Sequence, residues 1–155
     1  MINSDACHPK MLDTFRAPVF RLPNQSQETT ATYHNLSHHG QNAEKLRQLE
    51  AADREHLLQL RKLIDDFAAR PENGRRLLDH TMILYGSNLG DANIHDTTNL
   101  PILLAVGGFR HGQHLAFNRE HNRPLCNLFV TMLQNLGVET DTFASNTGNL
   151  NEITV

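Results

Sequence analysis

Apolar residues between positions 42 and 70 recur at the spacing of one helical face. The positions that share this face are Leu46, Leu49, Leu57, Leu60, Ile64 and Phe67. The spacing predicts an amphipathic helix whose charged residues face solvent, with His56 among those exposed residues. Asn42 can cap the start of the helix, and Pro71 prevents its continuation soon after Arg70. The pattern therefore predicts one long helix between Asn42 and Arg70.

Two short apolar runs and a second helical pattern follow. The runs Thr81–Gly86 and Leu100–Val106 are bounded by turn-forming residues, which is typical of buried strands. A helix is predicted from about Pro124 to Leu136, with Asn122 as its cap and Gly137 at its end. Helix, strand, loop, strand, loop and helix in this order favour an α/β layer with at least two strands.

The remaining regions set the domain prediction. Residues 1–32 contain three prolines followed by a polar stretch, so they are predicted to form an irregular N-terminal segment. Residues 33–155 are predicted to form a single α/β domain, because a chain of 155 residues can bury one core.

Composition narrows the classes of function. The net charge is −3 with mixed signs, so no basic stripe points to a nucleic-acid partner. The longest apolar run, residues 100–108, is too short to span a membrane. Two cysteines are too few for a disulfide framework. No signal peptide is visible after Met1. The unusual feature is ten histidines, of which three lie within residues 34–39 and four within residues 95–121.

The first histidine cluster has the spacing of a metal site. If this segment is helical, His34 and His38 stand four residues apart on one face. Two imidazoles so placed can hold one metal ion. The alternative is a histidine pair on a solvated surface.

The second cluster begins with Asp91 and His95, again four residues apart. A carboxylate and an imidazole could share a borderline metal such as zinc, iron or manganese. Alternatively, Asp91 and its asparagine neighbours are turn formers that bond to the backbone.

Ser37 lies within reach of His34 and His38 and is a candidate nucleophile. The sequence lacks the strand-turn-helix setting of a nucleophile elbow. The more favoured role for Ser37 is to hold a histidine tautomer or to cap the following helix.

Several separated blocks resemble one bacterial family in the same order. The family consists of largely exported proteins and is named for a His-x-x-Ser-His-His motif, which appears here as His34-x-x-Ser37-His38-His39. The other similar blocks are Leu77 to Ser87, His95, Asn99 to Ala105, Asn127 to Val138 and Phe143 to Gly148. The resemblance covers about residues 30–150 and is closest to the C-terminal part of a family member.

That family is itself distantly similar to the alkaline phosphatase and sulfatase superfamily of metal-dependent hydrolases. The resemblance implies a partial alkaline-phosphatase-like α/β layer, with a few mostly parallel strands flanked by two main helices. Members of the family are mostly exported to the periplasm, whereas no export signal is visible here, so the sequence leaves the location open. Because a larger N-terminal half is expected of the family, the resemblance implies a homo-oligomer or a partner chain that covers unpaired sheet edges.

The resemblance also implies a set of site residues and a function. It adds His114 to the ligands, with His111 as the alternative, and places His39 and Ser37 as catalytic or supporting groups. The resulting metal ligands are His34, His38, Asp91, His95 and His114. The expected cofactor is a divalent metal, with zinc favoured over iron or manganese. The expected function is metal binding by a protein of hydrolase ancestry, with hydrolysis of a small anionic ester if a partner chain or an oligomer completes the site. The alternatives are a metal-binding or interaction module without turnover, a histidine-rich metal oxidoreductase, and a structural fragment without metal.

Overall fold

The computed structural model describes residues 31–105, 107–118 and 120–155. Residues 1–30 of the segment that was predicted to be irregular (residues 1–32) therefore lie outside the described residues. In chain order, the described elements are α1 (Tyr33–Ser37), α2 (Ala43–Ala69), β1 (Pro71–Glu72), β2 (Arg75–Arg76), a 3-10 turn (Leu77–His80), β3 (Ile83–Gly86), β4 (Ile102–Ala105), α3 (Leu125–Asn135) and a final 3-10 turn (Asn151–Ile153).

The described part of the chain is mixed α/β, with three helices and two small antiparallel sheets. The α/β prediction is confirmed at this level, and α2 and α3 are the two main helices that were expected. The prediction of mostly parallel strands is not supported. β3 pairs with β4 in antiparallel register, from Ile83 opposite Ala105 to Gly86 opposite Ile102. Parallel neighbours need a crossover connection, usually a helix, and the segment between β3 and β4 contains no helix. The chain therefore returns in the opposite direction and the two strands pair antiparallel.

Two compact units divide the described residues. The first unit contains residues 31–63 and 89–98, and the second contains residues 64–88 and 99–155. Helix α2 contributes residues to both units. The prediction that residues 33–155 form a single domain stays a prediction.

Helix α2 begins and ends where the sequence indicates. The side-chain oxygen of Asn42 accepts hydrogen bonds from the backbone N–H groups of Glu44 and Lys45, both at 3.0 Å, so the predicted cap is confirmed. The helix ends at Ala69, two residues before Pro71, because proline cannot continue the hydrogen-bonding pattern.

The first turn of α2 also contains an acidic residue with a shifted pKa. Hydrogen bonds from Arg47 and Gln48 lower the pKa of Glu44 to about 2.

The apolar stripe of α2 is less covered than its pattern predicts. The buried residues of the helix are Gln48 and Ala52. Leu46 and Leu57 of the predicted stripe are 36 % and 49 % exposed. Periodicity identifies the helix, but it does not determine how much of the apolar face finds a packing partner.

The second unit contains the main apolar core. Phe109, Leu128, Leu150 and Ile153 form its buried centre, and residues of β4 and α3 pack against them. The C-terminal segment is held beside this core, since the backbone N–H of Arg110 donates to the carbonyl of Ile153 at 2.7 Å. Hydrophobic burial of this kind is the main source of stability in a small unit.

Helix α3 runs from Leu125 to Asn135. Pro124 occupies the N-cap position and makes no side-chain capping bond, so the prediction of Asn122 as the cap was wrong. Gly137 has a φ of +81°, a backbone conformation that glycine adopts without strain, and it ends the helix as predicted.

Thr131 of α3 carries a buried pair of hydrogen bonds. Its Oγ1 donates to the carbonyl of Asn127 at 3.1 Å and accepts from the backbone N–H of Leu150 at 2.7 Å. Thr131→Val keeps the shape but leaves this N–H without its acceptor, so we expect a loss of about 1–3 kcal/mol in the free energy of unfolding. Urea denaturation measures the loss. Thr131→Ser keeps the hydroxyl and should lose less, and a larger loss in the serine variant would contradict this account.

No helix within the described ranges is long and apolar enough to cross a membrane, which agrees with the expectation of no membrane span.

Candidate histidine site

Helix α1 places two of the predicted ligands together. The helix starts at Tyr33, where the Oγ1 of Thr32 accepts from the backbone N–H of Asn35 at 3.4 Å. One turn later, the backbone N–H of His38 donates to the carbonyl of His34 at 3.2 Å. Their ring centroids are 4.7 Å apart, with the rings edge to face at 71°. His34 lies in α1 and His38 is its C-cap, and the two rings are in contact as the four-residue spacing predicts.

His95 joins the pair from a distant part of the sequence. Its ring centroid lies 4.9 Å from that of His38, with the rings edge to face at 80°. His95 has a φ of +56° and lies within a turn that closes between Asp91 and Asp96. The backbone N–H of Asp96 donates to the carbonyl of Asp91 at 2.9 Å across this turn. Three imidazoles from two segments of the first unit are thus in contact.

A hydrogen bond between the two segments supports this contact. The side-chain oxygen of Asn93 accepts from the backbone N–H of Gly40 at 2.8 Å. Gly40 has a φ of +55°, a region that glycine adopts without strain. Asn93 therefore ties the turn around His95 to the segment that follows His38.

Asp91 is in the same turn as His95, and its carboxylate already bonds to the backbone. Its Oδ1 accepts from the backbone N–H of Asn93 at 2.8 Å, a bond of the kind that aspartate makes in turns. This is the alternative role that the sequence left open for Asp91. One carboxylate oxygen can serve the turn while the other binds a ligand, so the assignment of Asp91 as a metal ligand stays a prediction.

The two candidate catalytic residues lie beside the histidine pair. The Oγ of Ser37 donates to the carbonyl of His34 at 2.8 Å, which directs its proton to the backbone. The Nδ1 of His39 accepts from the backbone N–H of Gln41 at 3.1 Å. With Nδ1 as the acceptor, Nε2 of the neutral ring carries the proton and is a hydrogen-bond donor. The catalytic roles of both residues stay predictions.

His114 belongs to the second unit, as does its alternative His111, and both side chains are exposed. Their inclusion in the same site as His34, His38 and His95 stays a prediction.

The donor chemistry of the cluster fits a borderline divalent metal, because imidazole nitrogen is a common ligand of zinc and iron. The ring orientations are less suited. Edge-to-face contacts do not direct the ring nitrogens to one point, and within the described residues no group of three or more His, Cys, Asp or Glu side chains is arranged to hold a metal. Each nitrogen would have to approach a zinc ion to about 2.0–2.1 Å.

Sequence reasoning missed three polar residues next to the cluster. The hydroxyl of Tyr33 donates to Oδ1 of Asp53 at 2.6 Å. The ring of His56 packs against that of Tyr33, with centroids 5.1 Å apart, and its Nδ1 lies 4.0 Å from the same carboxylate oxygen. The prediction that His56 is exposed was wrong, because its ring packs against Tyr33 and only 32 % of the side-chain surface remains exposed. The signal was a break in the apolar stripe, because Asp53 and His56 occupy positions between Leu49 and Leu60 where the spacing calls for apolar residues.

No protein-family model matches the chain, and neither curated proteins nor solved structures give a match. The resemblance to the His-x-x-Ser-His-His family stays a prediction based on the residues themselves.

Proposed function

We propose that this protein binds a divalent metal through its histidine cluster and has the ancestry of a metal-dependent ester hydrolase. The observation that carries the proposal is the contact of three imidazoles from two segments, with centroid distances of 4.7 Å and 4.9 Å. Surface histidines scattered at random have no reason to meet in this way. A contact between His38 and His95 requires the chain to bring distant segments together, which is what a multi-ligand site requires.

The proposed ligands are His34, His38 and His95 of the first unit, with Asp91 from the same turn as His95. Zinc is the favoured metal, and iron or manganese are the alternatives, because imidazole with carboxylate suits all three. The ring nitrogens would have to rotate towards a common point as the metal binds.

A bound metal of this kind supplies Lewis acidity and lowers the pKa of a coordinated water. The residues of the chain would contribute orientation and proton transfer. His39 is the candidate acid or base. Because its Nδ1 accepts from the backbone N–H of Gln41, the neutral ring carries its proton on Nε2, which can donate a hydrogen bond to a substrate oxygen. Ser37 braces α1 through its bond to the carbonyl of His34.

The proposed substrate class is a small anionic ester, a phosphate or a sulfate, as in the superfamily that the sequence resembles. The same resemblance suggests a larger sheet, of which β3 and β4 are a part. Leu84 of β3 and Leu103 of β4 are 38 % and 45 % exposed, which favours a second copy of the chain or a partner chain as their cover. A monodisperse monomer in light scattering of the purified chain would contradict this part of the proposal.

A second candidate function is metal binding without turnover. The hydrogen bond of Ser37 to the carbonyl of His34 favours it, because the hydroxyl proton is directed to the backbone and not to an imidazole that could act as base. Hydrolysis of phosphate and sulfate esters by the metal-loaded chain separates the two candidates.

Metal content is the first test of the proposal. Mass spectrometry of protein purified without a histidine tag should give about one or two equivalents of zinc, iron or manganese. The metal should resist dialysis and be removed by a chelator. Folded protein that contains no metal and takes up none from added zinc, iron or manganese would contradict metal binding and leave a structural role for the histidines.

A further inference from the structure

Helix α1 and its C-cap carry two of the proposed ligands, His34 and His38, yet the helix is five residues long. An isolated helix of this length is not stable in water, because the cost of starting a helix is recovered only over several turns. The position of His34 and His38 must therefore depend on contacts that α1 makes with other elements. Among the described residues, α1 has a hydrogen bond to α2 at each end, and its Leu36 is fully buried.

At the N-terminal end, the contact is a short hydrogen bond to helix α2. The hydroxyl of Tyr33 donates to Oδ1 of Asp53 at 2.6 Å, and the Tyr33 ring packs against His56 of the same helix. A hydrogen bond to an ionised carboxylate is about twice as strong as one between neutral groups. Tyr33 is the direct neighbour of His34, so this bond fixes the backbone from which His34 projects.

At the C-terminal end, the contact is a pair of hydrogen bonds from the ammonium group of Lys45 to backbone carbonyls. The Nζ of Lys45 donates to the carbonyl of Asn35 at 3.2 Å and to that of His38 at 3.3 Å. The last carbonyls of a helix have no partner within the helix, and a positive charge there also suits the helix dipole. Lys45 thus holds the residue whose ring contacts both other histidines.

Between the two ends, Leu36 is fully buried and sets the face of α1 that is turned away from solvent. With Leu36 inward and both ends bonded to α2, α1 has little freedom to rotate or slide.

We propose that Lys45 and Asp53 of helix α2 are positioning residues for the histidine pair, acting through the α1 backbone and the Tyr33 hydroxyl without touching the metal. This inference rests on the proposed function for its effect on affinity. Partners that orient metal ligands from outside the coordination sphere are typically worth about 10–100-fold in metal affinity.

The test compares substitutions that remove or keep these bonds in the full chain. Asp53→Ala removes the acceptor of the Tyr33 hydroxyl, whereas Asp53→Asn keeps an acceptor oxygen at the same place. Lys45→Met removes the ammonium and keeps the length of the side chain. Glu50→Ala is the matched control, because it removes a negative charge from an exposed position of the same helix.

Zinc titration of each variant gives the first readout. We expect Asp53→Ala and Lys45→Met each to weaken zinc binding by about 10-fold or more. Asp53→Asn should stay within about 3-fold of the wild type, and Glu50→Ala within about 2-fold, because neither loses the contact to α1. Equal affinity in Asp53→Ala and the wild type would overturn the role of Asp53, and the same result in Lys45→Met would overturn that of Lys45.

A second readout does not need the metal. In the metal-free chain, NMR should detect the contact between the His34 and His38 rings, whose centroids are 4.7 Å apart. The contact should persist in Asp53→Asn and Glu50→Ala and weaken in Asp53→Ala and Lys45→Met. If the wild type binds no zinc, the proposed function fails while this readout still decides the positioning. If Asp53→Ala does not fold, Tyr33→Phe removes the same hydrogen bond with the loss of one oxygen, and an unchanged ring contact in that variant would overturn the proposal.

Discussion

Replacing His38 by alanine is expected to weaken zinc binding by more than about 100-fold. This exceeds the loss of about 10–100-fold that is usual when a residue that only orients a metal ligand is removed. His38 is the central ring of the cluster, because it contacts both His34 and His95. Its removal takes away one ligand and separates the other two. The free energy of unfolding should change by no more than about 1 kcal/mol, the size of an aromatic contact at a partly exposed position. Competition with a chromophoric chelator measures the affinity, and urea denaturation measures the stability.

The control for this experiment is another histidine. His56 is unsuitable, because its ring packs against Tyr33 and its loss would disturb α1. His121 is a better choice, since it is exposed and lies outside the first unit. His121→Ala should bind zinc as the wild type does. An equal loss in both variants would mean that zinc binds to histidines in general and not to the cluster.

Leu36→Ala is expected to lower the free energy of unfolding by about 2–5 kcal/mol, the usual range for truncating a fully buried leucine. Leu36 is the buried residue of α1, with 0 % of its surface exposed. Truncation leaves a cavity and removes the apolar contact that orients the helix. Urea denaturation followed by circular dichroism gives the value.

Leu58→Ala on α2 is the matched control for Leu36→Ala. Leu58 is 46 % exposed, so its truncation should cost less than about 0.5 kcal/mol. Zinc binding should weaken in Leu36→Ala and stay unchanged in Leu58→Ala, because the first substitution releases the helix that carries two ligands. A loss below 1 kcal/mol in Leu36→Ala would mean that α1 is held mainly by its polar contacts.

Local signals predicted the helices well and the sheet poorly. The start of α2 follows from the capping side chain of Asn42, and the end of α3 follows from Gly137, because both effects act within a few residues. Strand direction is a different kind of property. A short apolar run such as residues 102–105 has the same pattern whether its neighbour runs parallel or antiparallel, so the pattern could not predict the pairing of β3 with β4.

The same distinction applies to the candidate site. The contact of His34 with His38 is a consequence of helical spacing and could be predicted from five consecutive residues of sequence. The contact of His38 with His95 depends on how a distant turn is placed, and local spacing carries no information about it. Asp53, as a charged residue of α2, was assigned to the solvated face, and its side chain is 50 % exposed, but the pattern could not predict that its carboxylate also accepts from Tyr33.

The continuity of α2 has a consequence for how this protein can change during evolution. Lys45 and Asp53 lie on one unbroken helix, which fixes the distance and the angle between their contacts with α1. Inserting or deleting a single residue between them would rotate one contact by about 100° relative to the other and shift it by about 1.5 Å along the axis. Exposed residues between Lys45 and Asp53 can change in identity, but the number of residues between these two positions cannot change. Homologous sequences should therefore tolerate substitutions between these two positions and exclude insertions and deletions.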